Sequence, residues 1–167
     1  MKNDITEAKE KAIVYQVELK KERKKYRSEN GWSIDWEAVP DSIMVYALAL
    51  EKTKEVQGLV GLKDDVPAHA VYIHWMSSAP HNNKIKQGIR TFNNVGEQLF
   101  RIAVNKSVEL GYEGVVHGFA TSLRLLKHYM RRYGAKYLGL LHQYHFFIDE
   151  EQAKKLLEEN FDGGDET

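Results

Sequence analysis

The stretch "HAVYIHWMSSAPHNNKIKQGIRTFNNVGEQLF", residues 69–100, decides the fold. Its first part, "HAVYIHWMS", is rich in β-branched and aromatic residues and apolar at both parities, the pattern of a central strand covered on two sides. Its last part opens an amphipathic helix in which Val95, Leu99, Ile102 and Ala103 share one face. A strand that runs into a helix N-terminus aims unpaired backbone N–H groups and the positive end of the helix dipole at whatever lies there, which suits an anion such as phosphate. Asn93, Asn94 and Gly96 tolerate the left-handed backbone of a tight turn, and Lys84, Lys86 and Arg90 add local positive charge. An ordinary polar loop before a helix carries the same residue types. The stretch is neither G-x-x-x-x-G-K-[ST] nor a three-glycine dinucleotide fingerprint, so nucleotide hydrolysis is disfavoured.

Upstream, "IMVYALAL" and "VQGLVGL" flank the charged "EKTKE" and read as a hairpin, and "KDDVPA" turns into the central strand. "ENGWSIDWEAVPD" is a loop whose tryptophans lean on the core. In "ITEAKEKAIVYQVELKKERKKY", Ile5, Ala8, Ala12, Tyr15 and Leu19 keep helical spacing, while Ile13, Tyr15, Val17 and Leu19 alternate as in a strand. The dense Lys and Glu flanks favour helix, so residues 1–42 are expected to be a divergent helical region with "KKERKK" as a solvated face.

Downstream, Gly111 stops the first helix and "EGVVHGFA" is a short strand. A second helix starts at Ser122 or Thr121, carries Leu125, Leu126, Tyr129 and Tyr133 on one stripe, and ends at Gly134. "KYLGLL" and "YHFFID" are the last strands, and Asp149 caps a terminal helix, "EEQAKKLLEEN". The order predicts an α/β (α+β) domain over residues 1–167: a mixed, mostly antiparallel sheet with helices on both faces.

Composition narrows the function. Lys plus Arg equals Asp plus Glu at 24 each, so no global field favours nucleic acid or an anionic membrane, and nucleic acid is not the expected partner. The 167 residues hold no cysteine, which excludes disulfides and thiolate metal sites and fits a reducing, cytoplasmic compartment. No apolar run reaches the roughly 20 residues of a membrane span. His142 and His145 could suggest a metal pair, but three apart on a strand they would point to opposite faces, so no metal is expected.

This pattern, over roughly residues 43–160, resembles the GCN5-related N-acetyltransferases (GNAT), in particular bacterial members. In that family a fourth strand, here "HAVYIHWMSSAP", leads into a loop and helix of pattern (Q/R)xxGx(G/A) whose amides hold the pyrophosphate of acetyl-coenzyme A. "TFNNVGEQLF" is similar to it, with Thr91 at the Gln/Arg position, Asn94 at the first glycine and Gly96 at the second. "SLRLLKHYMRRYGAKYLG" resembles the family's NxxAxxFYxxxGF, with Ser122 at the asparagine, Leu125 at the alanine, and His128 and Tyr129 at the Phe-Tyr pair.

The resemblance implies an acyl-CoA N-acyltransferase fold and transfer of an acetyl group from acetyl-CoA (coenzyme A) to a primary amine of a small molecule or peptide. It implies cofactor contacts from Met76, Ser77 and Ser78, from Arg90, Thr91, Phe92, Asn93, Asn94, Val95, Gly96 and Glu97, and from Ser122. Tyr129 stands where a tyrosine often protonates the coenzyme A sulfur; as a residue on an apolar stripe it is equally a core aromatic. For the base, His74 lies on the expected fourth strand and His117 on the expected fifth, which would bring them near each other, and histidine suits proton transfer near neutral pH. Two alternatives stand beside this: a catalytically degenerate binding or assembly module of the same fold, and a toxin-like acetyltransferase of aminoacyl-tRNA. Exposed strand edges and aromatic-rich ends would allow a homodimer.

Overall fold

The structure, a computed structural model, describes residues 10–18, 20–82, 94–139 and 141–158. Seven strands form one mixed sheet in the order β1-β2-β3-β4-β5-β7-β6: β1 Ala12–Gln16, β2 Met44–Leu50, β3 Val56–Asp65, β4 Ala70–Ser78, β5 Val116–Phe119, β6 Lys136–Tyr137 and β7 His145–Ile148. The α-helices among the described residues are α1 Val95–Glu109, α2 Leu123–Tyr133 and α3 Glu150–Glu158. Strands β1 and β2, β5 and β7, and β6 and β7 pair antiparallel, whereas β4 and β5 pair parallel. The expected fold class holds.

Two compact units make up the described chain, the first taking residues up to Gly61 together with Trp75–Leu99, the second Leu62–His74 and Phe100 onward. In the first, the core gathers Val17, Trp32, Trp36, Val39, Ile43, Val45, Ala47, Leu59 and Ala79. Both tryptophans of the "WSIDW" loop are buried, and the indole N–H of Trp36 donates to Ser77 Oγ at 3.0 Å. Glycines on β3 show how both faces are covered: a Cβ on Gly61 would meet Ile43 and Trp36, and one on Gly58 would meet Val95 and Leu99 of α1.

In the second unit, Phe100 of α1, Tyr129 and Tyr133 of α2 and Phe146 of β7 form an aromatic cluster with centroids 4.8–6.0 Å apart. The expected caps are present. Ser122 Oγ accepts from the Leu125 N–H, Gly134 closes α2 at φ 67°, and Asp149 Oδ1 accepts from the Gln152 N–H at 2.9 Å.

The N-terminal region corrects the expectation of helix. The described part of residues 1–42 holds strand β1 and three short 3-10 turns, Lys20–Lys25, Ser28–Asn30 and Trp36–Ala38. Pairing of β1 with β2 from Ala12↔Leu50 to Gln16↔Tyr46 overrides the helix preference of its lysines and glutamates. "KKERKK" is not wholly solvated either: Arg23 is 5% exposed, and its Nη2 donates to the Val17 carbonyl at 3.5 Å. Ile5, Ala8 and Leu19 lie outside the described residues.

Candidate functional site

In the first unit, the decisive feature is the direction in which the backbone of β4 faces. In an unbroken strand, residues two apart turn their backbone polar groups toward the same neighbour. Within the second unit, the Val71 N–H bonds to the Val115 carbonyl, and the Ile73 carbonyl lies against Gly118, so both residues face β5. In the first unit, the carbonyls of Trp75 and Ser77 lie against Gly61 and Gly58, and the Ala79 N–H donates to Gln57 at 2.8 Å, so these residues face β3. Consequently the backbone groups of Met76 and Ser78 turn away from β3.

The same unit holds the start of α1. Asn94 stands immediately before it with φ 60°, the left-handed conformation that its short amide side chain tolerates, and its carbonyl accepts the first helical bond from Gln98. Val95 is buried and Gly96 half-buried in the first turn. Glu97, also in that turn, is only 4% exposed. Lys84, Lys86, Arg90, Thr91, Phe92 and Asn93 lie outside the described residues. Ser77 is buried, its hydroxyl is bound by Trp36 and its backbone faces β3, so of the three β4 candidates only Met76 and Ser78 turn their backbone elsewhere.

In the second unit, the sheet sorts the candidate residues onto two faces. Tyr72 opposes His117 in the β4–β5 ladder, and Phe119 opposes His145 in the β5–β7 ladder. Tyr72, His74, His117, Phe119 and His145 share a face, and the Tyr72 ring packs on His74, His117 and Phe119 at 5.9, 5.1 and 5.7 Å. His74 and His117 are thus brought together around one tyrosine, as the strand placement suggests. Tyr129 lies on the opposite face, against Phe146 and Phe100.

Both ring nitrogens of His117 are engaged. Nε2 donates to the Asp65 carboxylate at 2.8 Å, and Nδ1 is 3.0 Å from His145 Nε2. His145 is 2% exposed, and its Nδ1 has no hydrogen-bond partner among the described residues. Burial first, then the neighbouring His117 and His142, push its pKa down. His74 is also lowered, by burial and by Lys63. Burial raises the Tyr129 phenol well above its ordinary value, with Tyr133 adding to it. Sequence reasoning missed Asp65 and His145 as partners of His117. Asp65 is separated from His117 by 52 residues, and only the β5–β7 pairing brings His145 alongside.

His142 and His145 do not point to opposite faces as expected. Strand β7 begins at His145, while His142 sits in the preceding turn, so period-2 alternation does not relate them. Both rings pack against Phe119, at 5.2 and 4.9 Å. Among the described residues there is no group of three or more His, Asp or Glu side chains arranged to hold a metal ion. Nor is any helix there long and apolar enough to cross a membrane.

No protein-family model matches the sequence, and no curated protein matches it. Solved structures do. A GNAT-family protein from Desulfovibrio desulfuricans is similar at TM-score 0.59 and 10% identity, over 84% of this chain and 99% of that one. The KacTA–DNA complex contains a chain similar at TM-score 0.56 and 13% identity, over 90% of this chain and 100% of that one. The toxin AtaT, bound to the C-terminus of the antitoxin AtaR and to acetyl-CoA, is similar at TM-score 0.50 and 15% identity, over 70% and 74%. The chain has the acyl-CoA N-acyltransferase (GNAT) fold.

Proposed function

We propose that this protein is an acetyl-CoA-dependent N-acetyltransferase acting on a primary amine. The observation that carries the reading lies within the first unit: Trp75, Ser77 and Ala79 face β3 and leave the Met76 and Ser78 backbone turned away from it. Strand backbone turned away from the neighbouring strand is what the resemblance asks for beside a pantetheine arm. The left-handed Asn94 and the N-terminus of α1 follow, where Gly96 permits close approach of an anion. The residues present therefore fit the coenzyme, which when bound supplies an activated acetyl thioester.

Acetyl transfer needs the amine uncharged and a proton returned to the departing thiolate. In our reading Tyr129 holds the proton to be returned; its raised pKa keeps the phenol protonated at neutral pH. His74, whose pKa burial and Lys63 lower, is the candidate for the base, although its ring lies on the face of the sheet opposite Tyr129. His117 is held beside it, with Asp65 and His145 occupying its ring nitrogens. The contacts of Arg90, Thr91, Phe92, Asn93 and Ser122 with the coenzyme remain part of this proposal. Ser122 would contribute while its hydroxyl caps α2.

Calorimetric titration with acetyl-CoA, with free coenzyme A and desulfo-coenzyme A alongside, tests the reading. Micromolar binding, followed by thiol release on adding polyamines or amino acids, is expected. Binding without turnover on any amine would leave the degenerate module, and no binding up to millimolar concentration would reject the coenzyme.

A specific observation favours a second acceptor, the amino group of aminoacyl-tRNA as in a toxin-like enzyme. Fold neighbours include a toxin held by its antitoxin and a chain in a complex with DNA. In addition, α2 carries Arg124, Lys127, Arg131 and Arg132 and no acidic residue. This local charge qualifies the argument from net neutrality. RNA binding whose affinity falls steeply with salt would support it; binding absent even at low salt would remove it.

A further inference from the structure

A buried amide network in the first unit has no part in the chemistry above. Gln57 is fully buried and Asn82 is 5% exposed. Gln57 Nε2 donates to the Glu55 carbonyl at 3.1 Å, which identifies Oε1 as the acceptor. Asn82 Nδ2 donates to that oxygen at 2.9 Å and to the Gln57 carbonyl at 3.3 Å. His81 Nε2 lies 2.6 Å from the same Oε1, so the ring proton sits on Nε2 and one tautomer is fixed. Burial pushes the His81 pKa down against the pull of Glu55, keeping the imidazole neutral near pH 7. Burying two amides is costly unless every group is paired. Here the pairing serves to hold one imidazole in place.

That imidazole lines a groove of about 510 Å³, inside the roughly 300–1,000 Å³ range of small-molecule sites. The other walls differ in chemistry. Tyr26 and Trp32, in edge contact at 5.3 Å, give an apolar side together with Pro80. Lys25 and Lys54 are exposed, and neither ammonium has a carboxylate partner among the described residues. Glu55, whose carboxylate is 3.6 Å from His81 Nε2, supplies the negative charge. Two cations disfavour a simple amine, and Glu55 disfavours a simple anion. A molecule carrying both charges satisfies all three.

We propose that this groove binds a small zwitterion of the amino-acid type with an apolar or aromatic side chain: carboxylate between Lys25 and Lys54, ammonium at Glu55, side chain on the Tyr26–Trp32 wall. The site stands without acetyl transfer; its occupant as the amine acceptor rests on that reading.

The test uses the full chain and NMR signals of the His81 imidazole and the Trp32 indole. L-phenylalanine, L-leucine and L-tryptophan are titrated, with phenylpropionate and phenethylamine as half-ligands. At least one amino acid is expected to saturate with Kd near or below about 1 mM, with each half-ligand at least tenfold weaker. The double variant K25E/K54E, altered only at exposed side chains, is expected to keep the Tm and lose at least tenfold in amino-acid affinity. No saturation by about 10 mM, or affinity unchanged in K25E/K54E, overturns the site. An amino acid that binds yet is not acetylated by protein saturated with acetyl-CoA overturns only its role as acceptor. Failure of acetyl-CoA to bind overturns the acetyl-transfer reading and leaves the amino-acid titration as the test of the groove.

Discussion

Tyr129 has two explanations that one substitution separates. Its ring packs on Phe100, Tyr133 and Phe146 and is 8% exposed, so truncation would damage the core whatever the hydroxyl does. Tyr129→Phe keeps the ring. If the phenol returns the proton, turnover falls at least about 100-fold while acetyl-CoA affinity and Tm hold; unchanged turnover makes Tyr129 a core aromatic alone. His145 sets a pH dependence of stability. Its folded pKa lies below the ordinary histidine value, so the unfolded chain takes the proton first. Its contribution is complete above about pH 6.5 and is lost as pH falls through that value toward the folded pKa. Urea unfolding at pH 7.5 and 5.5 should show this loss, and His145→Gln should reduce it. A remainder is expected because His74 and His81 are lowered in the same direction. An identical pH slope in His145→Gln would exclude His145 as a source. Asp149 acts in a separate window: Lys136 and the Gln152 N–H lower its carboxyl, so its cap weakens only as pH falls below about 4. Tyr129 and His117 were legible as candidates because each type sits in a recognisable pattern. Asp65, His145 and the Gln57–Asn82 support of His81 were not, because long-range pairing assembles them and no local spacing reveals it.

At the scale of elements, legibility followed burial. The stripe of α1 is hidden, with Val95, Leu99, Ile102 and Ala103 at 8% exposure or less, and it reads correctly from spacing alone. Strand β1 is an edge strand with Ala12, Val14, Tyr15 and Gln16 exposed, so no buried face distinguishes alternation from helical spacing, and its backbone pairing decides. Glycines at the connections separate two costs. Gly111 and Gly114 both have φ 86°, but an added Cβ meets nothing within 4 Å at Gly111 and would lie 2.5 Å from the Ala153 Cβ at Gly114. Gly111→Ala should cost about 1 kcal/mol from the left-handed backbone. Gly114→Ala should cost a further 1–3 kcal/mol, roughly, as overpacking between Val104 and Ala153. Equal urea midpoints for the two would show that α3 yields to the methyl group. Helix α1 permits a cleaner test of the anion site. An aspartate in a first helical turn favours the helix dipole, so Gly96→Asp should fold normally while its carboxylate opposes the pyrophosphate. Acetyl-CoA affinity should drop at least tenfold, about 1.4 kcal/mol; retained affinity would move the coenzyme away from this helix.

For the whole molecule, the order of strands and helices after β1 was readable because each apolar run was bounded by turn residues, and that order carries the fold to neighbours only 10–15% identical. What such order cannot encode is whether the fold still works on a substrate, because fold and chemistry are separable. Linkage supplies a measure that does not depend on knowing the amine. A ligand that binds only the folded chain adds RT ln(1 + [L]/Kd) to its stability, about 2.7 kcal/mol at 100 times Kd. Acetyl-CoA, coenzyme A and desulfo-coenzyme A share the pyrophosphate and should each raise the unfolding midpoint by that rule once scaled to their own Kd. The Gly96→Asp protein should need at least ten times more of each for the same rise. An amino acid seated beside His81 should raise the midpoint again, additively if the two sites are independent and by more if each ligand favours the other. Excess stabilisation would show the two sites to be coupled. Strict additivity would show that the two ligands bind independently, and no rise with any coenzyme would end the acetyltransferase reading.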